Sequence, residues 1–145
     1  GRSVLVFDNS VQNTTDQAWQ MRLLAYKIEF ALRQCERGTD KICLLIKLQN
    51  FSLFNNPSWA TTKETIKILL TCFPETLGHC IIYRPPQVFS VVLQAVKPFL
   101  DARTASKILC VVGDVSDGSK NDRLLADLIG AQWKSLTGCE RPVLA

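Results

Sequence analysis

The 145-residue chain lacks the sequence features of several large protein classes. It has a single histidine, His79, and none of its six cysteines forms a Cys-x-x-Cys pair, so we expect neither a metal site nor a cofactor. No apolar run approaches the ~20 residues that a membrane-spanning helix needs. Internal repeats and low-complexity segments are also missing. These absences indicate an ordinary globular chain.

Neither positive nor negative charge dominates the sequence. The 17 basic and 13 acidic residues are interspersed and leave a net charge of +4, which argues against a dedicated nucleic-acid surface but is compatible with weak attraction to an anionic membrane. The length is that of one domain, so we expect residues 1–145 to form a single unit. The chain begins with Gly1 rather than methionine, as in a processed protein or a domain, and we interpret the scattered cysteines as buried thiols of a cytoplasmic protein.

Four short apolar runs are continuous rather than alternating, which is typical of strands that are covered on both faces. They are Ser3–Phe7, Ile42–Ile46, Cys80–Tyr83 and Ile108–Val112. Helical patterns lie between them. Regular alternation of strand and helix predicts an α/β fold with a mostly parallel sheet and helices on both faces.

Two of the helical patterns open with a capping box. The first box is Thr14-x-x-Gln17, and its helix ends near Gly38 with one face formed by Trp19, Leu23, Tyr26 and Phe30. The second box is Thr61-x-x-Glu64, and its helix ends at Pro74 after burying Ile66, Leu69, Leu70 and Phe73. A further helix is predicted from Asn121 to Ile129, and we expect the tail after Gln132 to be irregular.

The helix predicted between Pro86 and Pro98 is unusually apolar. It is polar only along one narrow stripe: Gln87, Ser90, Gln94 and Lys97. Such a helix must be covered on most sides, either within a solid core or over an apolar cavity, and composition leaves both alternatives open. Its valines disfavour an isolated helix, and its flanking prolines could act as hinges. In the second alternative the helix is a gate, and the candidate pocket-lining residues are Val88, Phe89, Val92, Leu93 and Val96.

Three polar residues are expected at one edge of the sheet. Glu75 precedes the third strand, and Thr104 and Lys107 precede the fourth. A carboxylate, a hydroxyl and an ammonium suit a phosphodiester that carries a polyol, because the ammonium and hydroxyl bond phosphate oxygens while the carboxylate accepts from hydroxyls. The simpler alternative is a surface ion pair beside a helix cap.

Several motifs together carry a family resemblance. Phe73-Pro74-Glu75-x-x-Gly78, Pro86-x-x-Phe89, Val96-Lys97-Pro98-Phe99-Leu100 and Thr104-x-x-Lys107 resemble the second half of the CRAL-TRIO lipid-binding domain, in its phosphatidylinositol transfer branch. Val11-Gln12-Asn13, Gln20-Met21-Arg22 and Thr61 to Thr65 are similar to the same branch, so the resemblance runs from Gly1 to about Val112.

The resemblance implies an internal apolar pocket gated by the Val88 to Val96 helix, with Glu75, Thr104 and Lys107 holding the headgroup. It implies non-enzymatic transfer of a phospholipid, most simply phosphatidylinositol, with transient contact to membranes and no identified protein partner. Where relatives commonly carry Asp-Leu-x-Gly after the second strand, this chain has Lys47-Leu48-Gln49-Asn50. The polar side chains that the resemblance leads us to expect in that strand for a choline headgroup are replaced by Ile42 and Leu44, which disfavours phosphatidylcholine.

Alternative functions remain open from the sequence alone. The cargo could be a different lipid or a sterol, or the pocket could be collapsed in a protein-interaction domain. The loop Gly113 to Lys120 reads G-x-x-x-x-G-S-K, a near miss of the phosphate-binding P-loop that would suit a nucleotide switch, although its lysine is displaced by one position. No residue constellation predicts catalysis, because His79 lacks a nucleophile beside it in the sequence.

Overall fold

The computed structural model describes residues 1–8, 16–48 and 59–139. The strands are β1 (Val4–Asp8), β2 (Ile42–Lys47), β3 (Leu77–Tyr83) and β4 (Ile108–Val111). The helices are α1 (Gln17–Arg33), α2 (Trp59–Cys72), α3 (Phe89–Val96), α4 (Ala102–Ser106), α5 (Lys120–Ile129) and α6 (Trp133–Thr137). A short 3-10 helix, Lys97–Phe99, follows α3.

The four strands form one parallel sheet whose order follows the chain, β1-β2-β3-β4. Each strand pairs in parallel with the next, as in Leu45 with Ile81 and Ile82 with Cys110. All four predicted strands are present, and the predicted α/β architecture is confirmed. The middle strands are the most buried, because β2 and β3 each have a neighbour on both sides and helices on both faces.

Side-chain alternation along the strands divides the core into two layers. On one face, Ile42, Leu44, Cys80 and Ile82 pack against buried residues of α1, with partly buried residues of α2 and α3 around them. On the other face, Cys43, Leu45, Ile81 and Tyr83 pack against α5 and α6. We call these the α1–α3 face and the α5–α6 face of the sheet.

Helix α1 differs from its prediction. Its N-cap is Asp16, whose carboxylate accepts from the Trp19 N–H, and it ends at Arg33 rather than near Gly38. Thr14 lies outside the described residues. The face that meets the core is a different one from the face noted in the sequence, since the buried residues are Leu24, Ile28 and Ala31. The residues left exposed are Trp19, Leu23, Tyr26 and Phe30.

Helix α6 was also missed, because the tail after Gln132 was expected to be irregular. Trp133 and Thr137 of this five-residue helix are both buried, and Trp133 joins the core of the α5–α6 face.

In α2, the predicted cap residue Thr61 is instead buried within the helix, which starts at Trp59, and Leu70 is exposed. The prediction that the cysteines are buried was wrong for Cys72 and Cys110. None of the helices within the described ranges is long and apolar enough to span a bilayer.

Candidate functional site

Glu75 lies in the turn before β3 and is held there by two cations. The Arg103 guanidinium donates to its Oε1 at 3.3 Å, and the Lys41 ammonium lies 4.0 Å from its Oε2. The same ammonium donates to the Glu75 backbone carbonyl at 2.7 Å. Glu75 has a φ of 60°, a conformation that a non-glycine residue adopts only when its surroundings hold it. Its carboxylate is therefore presented at the edge of the sheet where the parallel strands begin.

Thr104 lies in α4, whose N-cap is Asp101. The Thr104 N–H donates to Asp101 Oδ1 and the Thr104 hydroxyl donates to Oδ2, both at 2.8 Å. These two bonds lower the pKa of the Asp101 carboxyl, with the backbone bond the larger cause. The Thr104 hydroxyl proton is thus committed to the cap, and it can reach a phosphate oxygen only if it leaves Asp101.

Lys107 closes α4 and directly precedes β4. Its N–H donates to the Thr104 carbonyl at 3.1 Å, and its carbonyl accepts from the Cys80 N–H at 2.9 Å. Within the described residues, its half-buried ammonium has no hydrogen-bond acceptor and no ion-pair partner. Arg103 of the same helix is the group that pairs with Glu75. The structure therefore links Glu75, Thr104 and Lys107 at one edge through α4, without direct side-chain bonds among them.

Arg2 and His79 form a second part of this edge. The Arg2 Nη1 lies 3.2 Å from the His79 Nδ1. A register irregularity beside them leaves Gly78 without a partner on β2. The Arg2 side chain lies against Gly78, where an added Cβ would lie 3.1 Å from Nη1 and 3.2 Å from the Ile42 carbonyl oxygen. The absence of a side chain at Gly78 is what lets Arg2 reach the histidine.

Four further members of this edge were not predicted from the sequence: Arg2, Lys41, His79 and Arg103. The signal was available, because Lys41 directly precedes β2 and Arg2 lies two residues before β1. The argument that gathers Glu75 and Lys107 at one edge applies equally to every parallel strand. Arg103 was harder to find, since its contact with Glu75 depends on α4, a helix of only five residues.

Helix α3 is present but shorter than predicted, and it contains no fully buried residue. Phe89 and Leu93 pack against the core of the α1–α3 face. Val88, Val92 and Val96 are half-buried, whereas Val91 is 64% exposed. Pro86 and Pro98 lie just outside the α-helix on either side. The predicted gate residues therefore lie along a helix that covers the edge of the core.

Two surface cavities are lined by described residues. One, of about 120 Å³, lies on α1 between Tyr26, Glu29, Phe30 and Arg33. The other, of about 360 Å³, lies at the amino edge of the sheet and is lined by Gly1, Arg2 and residues 38–41. Neither cavity lies beneath α3. A pocket there stays a prediction, because in this conformation Phe89 and Leu93 contact the core directly.

The loop that follows β4 is organised by its own side chains. The Gly118 N–H donates to Asp122 Oδ2 at 2.7 Å, and the Ser116 N–H donates to Asp114 Oδ1 at 2.9 Å. The Asn121 side chain donates to the carbonyls of Val112 and Asp114. A P-loop needs backbone N–H groups directed at a phosphate. The Gly118 and Ser116 N–H groups instead bond the carboxylates of Asp122 in α5 and Asp114 in the loop, which argues against the nucleotide-switch alternative.

The described residues do not form a cluster of metal ligands. Nowhere in residues 1–8, 16–48 and 59–139 do three His, Cys, Asp or Glu side chains come together as ligands would.

Burial raises the pKa of the Cys43 thiol to about 11 and that of the Cys80 thiol to about 12. Such thiols are protonated at neutral pH and are poor nucleophiles.

The chain matches a known family over most of its length. The family model described as the CRAL/TRIO domain matches residues 1–126. A CRAL-TRIO domain-containing protein of Schizosaccharomyces pombe is 31% identical over 108 residues, which are 74% of this chain and 11% of that protein. The protein named real-time of Drosophila melanogaster is 26% identical over 131 residues, covering 75% of this chain and 20% of the relative.

A solved structure shares the fold. The crystal structure of Sfh5 aligns with a TM-score of 0.65 at 20% sequence identity, over 86% of this chain and 46% of Sfh5. The chain thus spans less than half of each of these three proteins. The fold is common to them, and what the whole relatives do is a separate question.

Proposed function

Because the chain belongs to the CRAL/TRIO domain family, we propose that residues 1–145 form one domain that binds a phospholipid and transfers it between membranes. The cargo is phosphatidylinositol. The transfer involves no chemical reaction, and the domain acts in the cytoplasm with transient contact to membrane surfaces. A sterol or a different lipid is the alternative cargo.

The observation that carries this proposal is the nature of α3. Its residues are almost all apolar, yet none is fully buried, and prolines flank it on both sides. A helix of this kind gains little from its present contacts and can swing on its ends at modest cost. A movement of α3 that breaks the contacts of Phe89 and Leu93 with the core would expose the apolar α1–α3 face, against which acyl chains could lie.

The energetics of hydrocarbon explain why closure matters. Burial is worth ~0.8 kcal/mol per methylene, so exposing a chain of about eighteen carbons costs on the order of 14 kcal/mol. A carrier must therefore cover its cargo almost completely while it crosses water. Val88, Phe89, Val92, Leu93 and Val96 are the residues we assign to this cover.

The headgroup is assigned to the amino edge of the sheet. Lys107 supplies for the phosphodiester an ammonium that has no partner among the described residues. Glu75, fixed by Lys41 and Arg103, supplies a carboxylate that accepts from inositol hydroxyls. Thr104 contributes if its hydroxyl turns from Asp101 to the phosphate. A carboxylate beside a cation is better suited to inositol than to choline, which has no hydroxyl to donate.

The direct test is to incubate the purified chain with mixed vesicles, reisolate it and identify the extracted lipids by mass spectrometry. We expect phosphatidylinositol, close to one per chain and enriched over its share in the vesicles. Recovery of a sterol or another lipid would replace the cargo assignment. Recovery of no lipid would contradict the carrier function and favour an interaction domain.

A matched pair of lysine variants tests the headgroup assignment. Lys107→Ala should lower the rate of phosphatidylinositol transfer by about tenfold, since a charge-assisted hydrogen bond contributes about 1.5–3 kcal/mol. Lys67→Ala, on the exposed side of α2, removes the same charge elsewhere and should leave transfer unchanged. Equal transfer by the two variants, with both folded by circular dichroism, would remove Lys107 from the site.

A further inference from the structure

The amino edge of the sheet carries a row of hydrogen-bond donors, of which the headgroup assignment above uses only Lys107. Its members are Arg2, His79 and Lys107. His79 and Lys107 precede the paired residues Cys80 and Ile108, so they lie side by side on neighbouring strands. Arg2 joins them through its contact with the His79 Nδ1. The three side chains belong to three different segments of the chain that meet at one place.

The contact between Arg2 and His79 fixes the protonation of the imidazole. A guanidinium can only donate, so the Nδ1 of His79 must accept, and its proton lies on Nε2. The pKa of His79 is correspondingly lowered, first by burial and then by the charges of Arg2 and Lys107. His79 is therefore a neutral ring that offers an Nε2–H donor between two permanent cations.

Within residues 1–8, 16–48 and 59–139, no acidic side chain neutralises this row. Among the described residues, neither the Arg2 guanidinium nor the Lys107 ammonium is bonded to a carboxylate. Glu75 is paired instead with Lys41 and Arg103. Two unpaired cations and one neutral donor are best matched by an anion of about two charges with several acceptor oxygens. A phosphomonoester has both properties, with a charge of about −1.5 to −2 at pH 7 and three oxygens.

Space for such a group is present at the Arg2 end of the row, in a cavity whose lining includes neither His79 nor Lys107. Arg2 lines the cavity of about 360 Å³ at this edge, together with Asp40 and Lys41. That volume falls within the usual range of small-ligand sites, roughly 300–1,000 Å³. Asp40 is the one acidic side chain lining it, so it should oppose an anion that enters.

We propose that Arg2, His79 and Lys107 form a phosphomonoester subsite next to the Glu75 carboxylate. This rests on the proposed function, and it narrows the cargo to an inositol lipid with a phosphate on its ring. Lys107 belongs both to the headgroup site with Glu75 and to the phosphomonoester subsite. It contacts either the phosphodiester or the ring phosphate. A water-soluble inositol phosphate offers the same group and is the alternative source.

The experiment compares four probes on the purified chain. Two are phosphatidylcholine vesicles containing either phosphatidylinositol or phosphatidylinositol monophosphate, with total charge equalised by phosphatidylserine. The other two are inositol monophosphate and inorganic phosphate, titrated in solution while the His79 Nε2 signal is followed by NMR. We expect about a tenfold preference for the phosphorylated lipid, equivalent to one good charge-assisted contact.

Matched variants locate the preference. Arg2→Gln should abolish it while leaving binding of phosphatidylinositol vesicles unchanged, and Asp40→Asn should strengthen it. Arg22→Gln removes the same charge from an exposed position on α1 and should retain the full preference. A wild-type chain without preference, or an equal loss in Arg2→Gln and Arg22→Gln, would overturn the subsite.

The outcomes separate this inference from the function on which it rests. Transfer of phosphatidylinositol without preference for the phosphorylated lipid would end the subsite and keep the carrier function. Failure to bind either lipid, with Arg2-dependent binding of inositol monophosphate, would end the carrier function and keep the subsite. Binding of neither lipids nor soluble phosphates would end both.

Discussion

The indole Nε1–H of Trp133 donates a 3.0 Å hydrogen bond to Oδ1 of Asp122. The other carboxylate oxygen of Asp122 accepts from the Gly118 N–H at 2.7 Å. One side chain thus ties the buried α6 to α5 and to the loop after β4. These bonds lower the pKa of the Asp122 carboxyl, with the Gly118 bond as the largest cause.

Replacing this carboxylate should loosen the loop selectively. In Asp122→Ala, the Gly118 amide loses its acceptor and should exchange with deuterium faster than in the wild type, and the thermal midpoint should fall. Asp127→Ala, at an exposed position of the same helix, is the control and should change neither quantity. Unchanged Gly118 exchange in Asp122→Ala would show that the loop is held by its other bonds.

The protein should be more stable with phenylalanine in place of Tyr83. The side chain is fully buried, and within the described residues its hydroxyl has no hydrogen-bond partner. Burial raises the pKa of the phenol; the Cys139 thiol adds to the effect and Thr137 opposes it, so both side chains lie near the hydroxyl although neither makes a hydrogen bond of good geometry with it. Because an unsatisfied buried hydroxyl costs about 1–3 kcal/mol, Tyr83→Phe should raise the unfolding free energy by about 1 kcal/mol in urea titrations.

The control for that change is Tyr26→Phe, since the Tyr26 side chain is 64% exposed. We expect its unfolding free energy to stay within about 0.5 kcal/mol of the wild type. A stability loss above about 1 kcal/mol in Tyr83→Phe would mean that the hydroxyl is bonded in solution.

Helix α3 should open more readily than α5. Helix α3 has no buried residue, whereas α5 contributes Leu125 and Ile129 to the core. Amide hydrogens of α3 should therefore exchange at least about tenfold faster than those of α5 in native-state hydrogen exchange. Equal protection in the two helices would contradict a hinged cover and would favour a fixed crossover helix.

His79 should make stability depend on pH below its ordinary pKa of 6.5. Because folding lowers the pKa of this imidazole, the unfolded chain binds the extra proton first as pH falls. The contribution of His79 to the free energy of unfolding is thus fully present above pH 6.5. It is lost as the pH falls through the lowered pKa of His79 in the folded state. Unfolding free energies of wild type and His79→Gln, measured across this range, should diverge only on the acidic side.

Arg2 supplies the internal check on this pH effect. Removing its charge in Arg2→Gln should raise the pKa of His79, as followed by NMR, because a neighbouring cation disfavours the imidazolium. Burial is the larger cause, so the pKa should stay below its ordinary value. A His79 pKa that does not respond would place Arg2 away from the ring in solution.

The sheet could be predicted because its signal is simple. A strand such as Ile42–Lys47 is apolar on both faces, and a continuous run of that length between turn residues has few other interpretations. Helix α1 was harder, because it has two apolar stripes. One contains Leu24 and Ile28, the other Tyr26 and Phe30, and periodicity cannot tell which of them meets the sheet.

The site was predictable only as far as the parallel topology determines it. Glu75 and Lys107 share an edge because each precedes a strand. The partners of Glu75 depend on α4 and on the left-handed backbone of Glu75, neither of which produces a periodic pattern. The path of Arg2 across Gly78 accompanies the register irregularity between β2 and β3, which no pattern in the sequence predicts.

Strands that are neighbours along the chain are also neighbours in the sheet, since the order is β1-β2-β3-β4. Each pairing therefore closes only the loop of one intervening helical segment, and the entropy of that closure grows slowly with its length. Among the described strands, none has to wait for a partner beyond the next strand along the chain. Pairing can therefore follow the order of translation, and the β1–β2 and β2–β3 pairings do not require β4 to have been made.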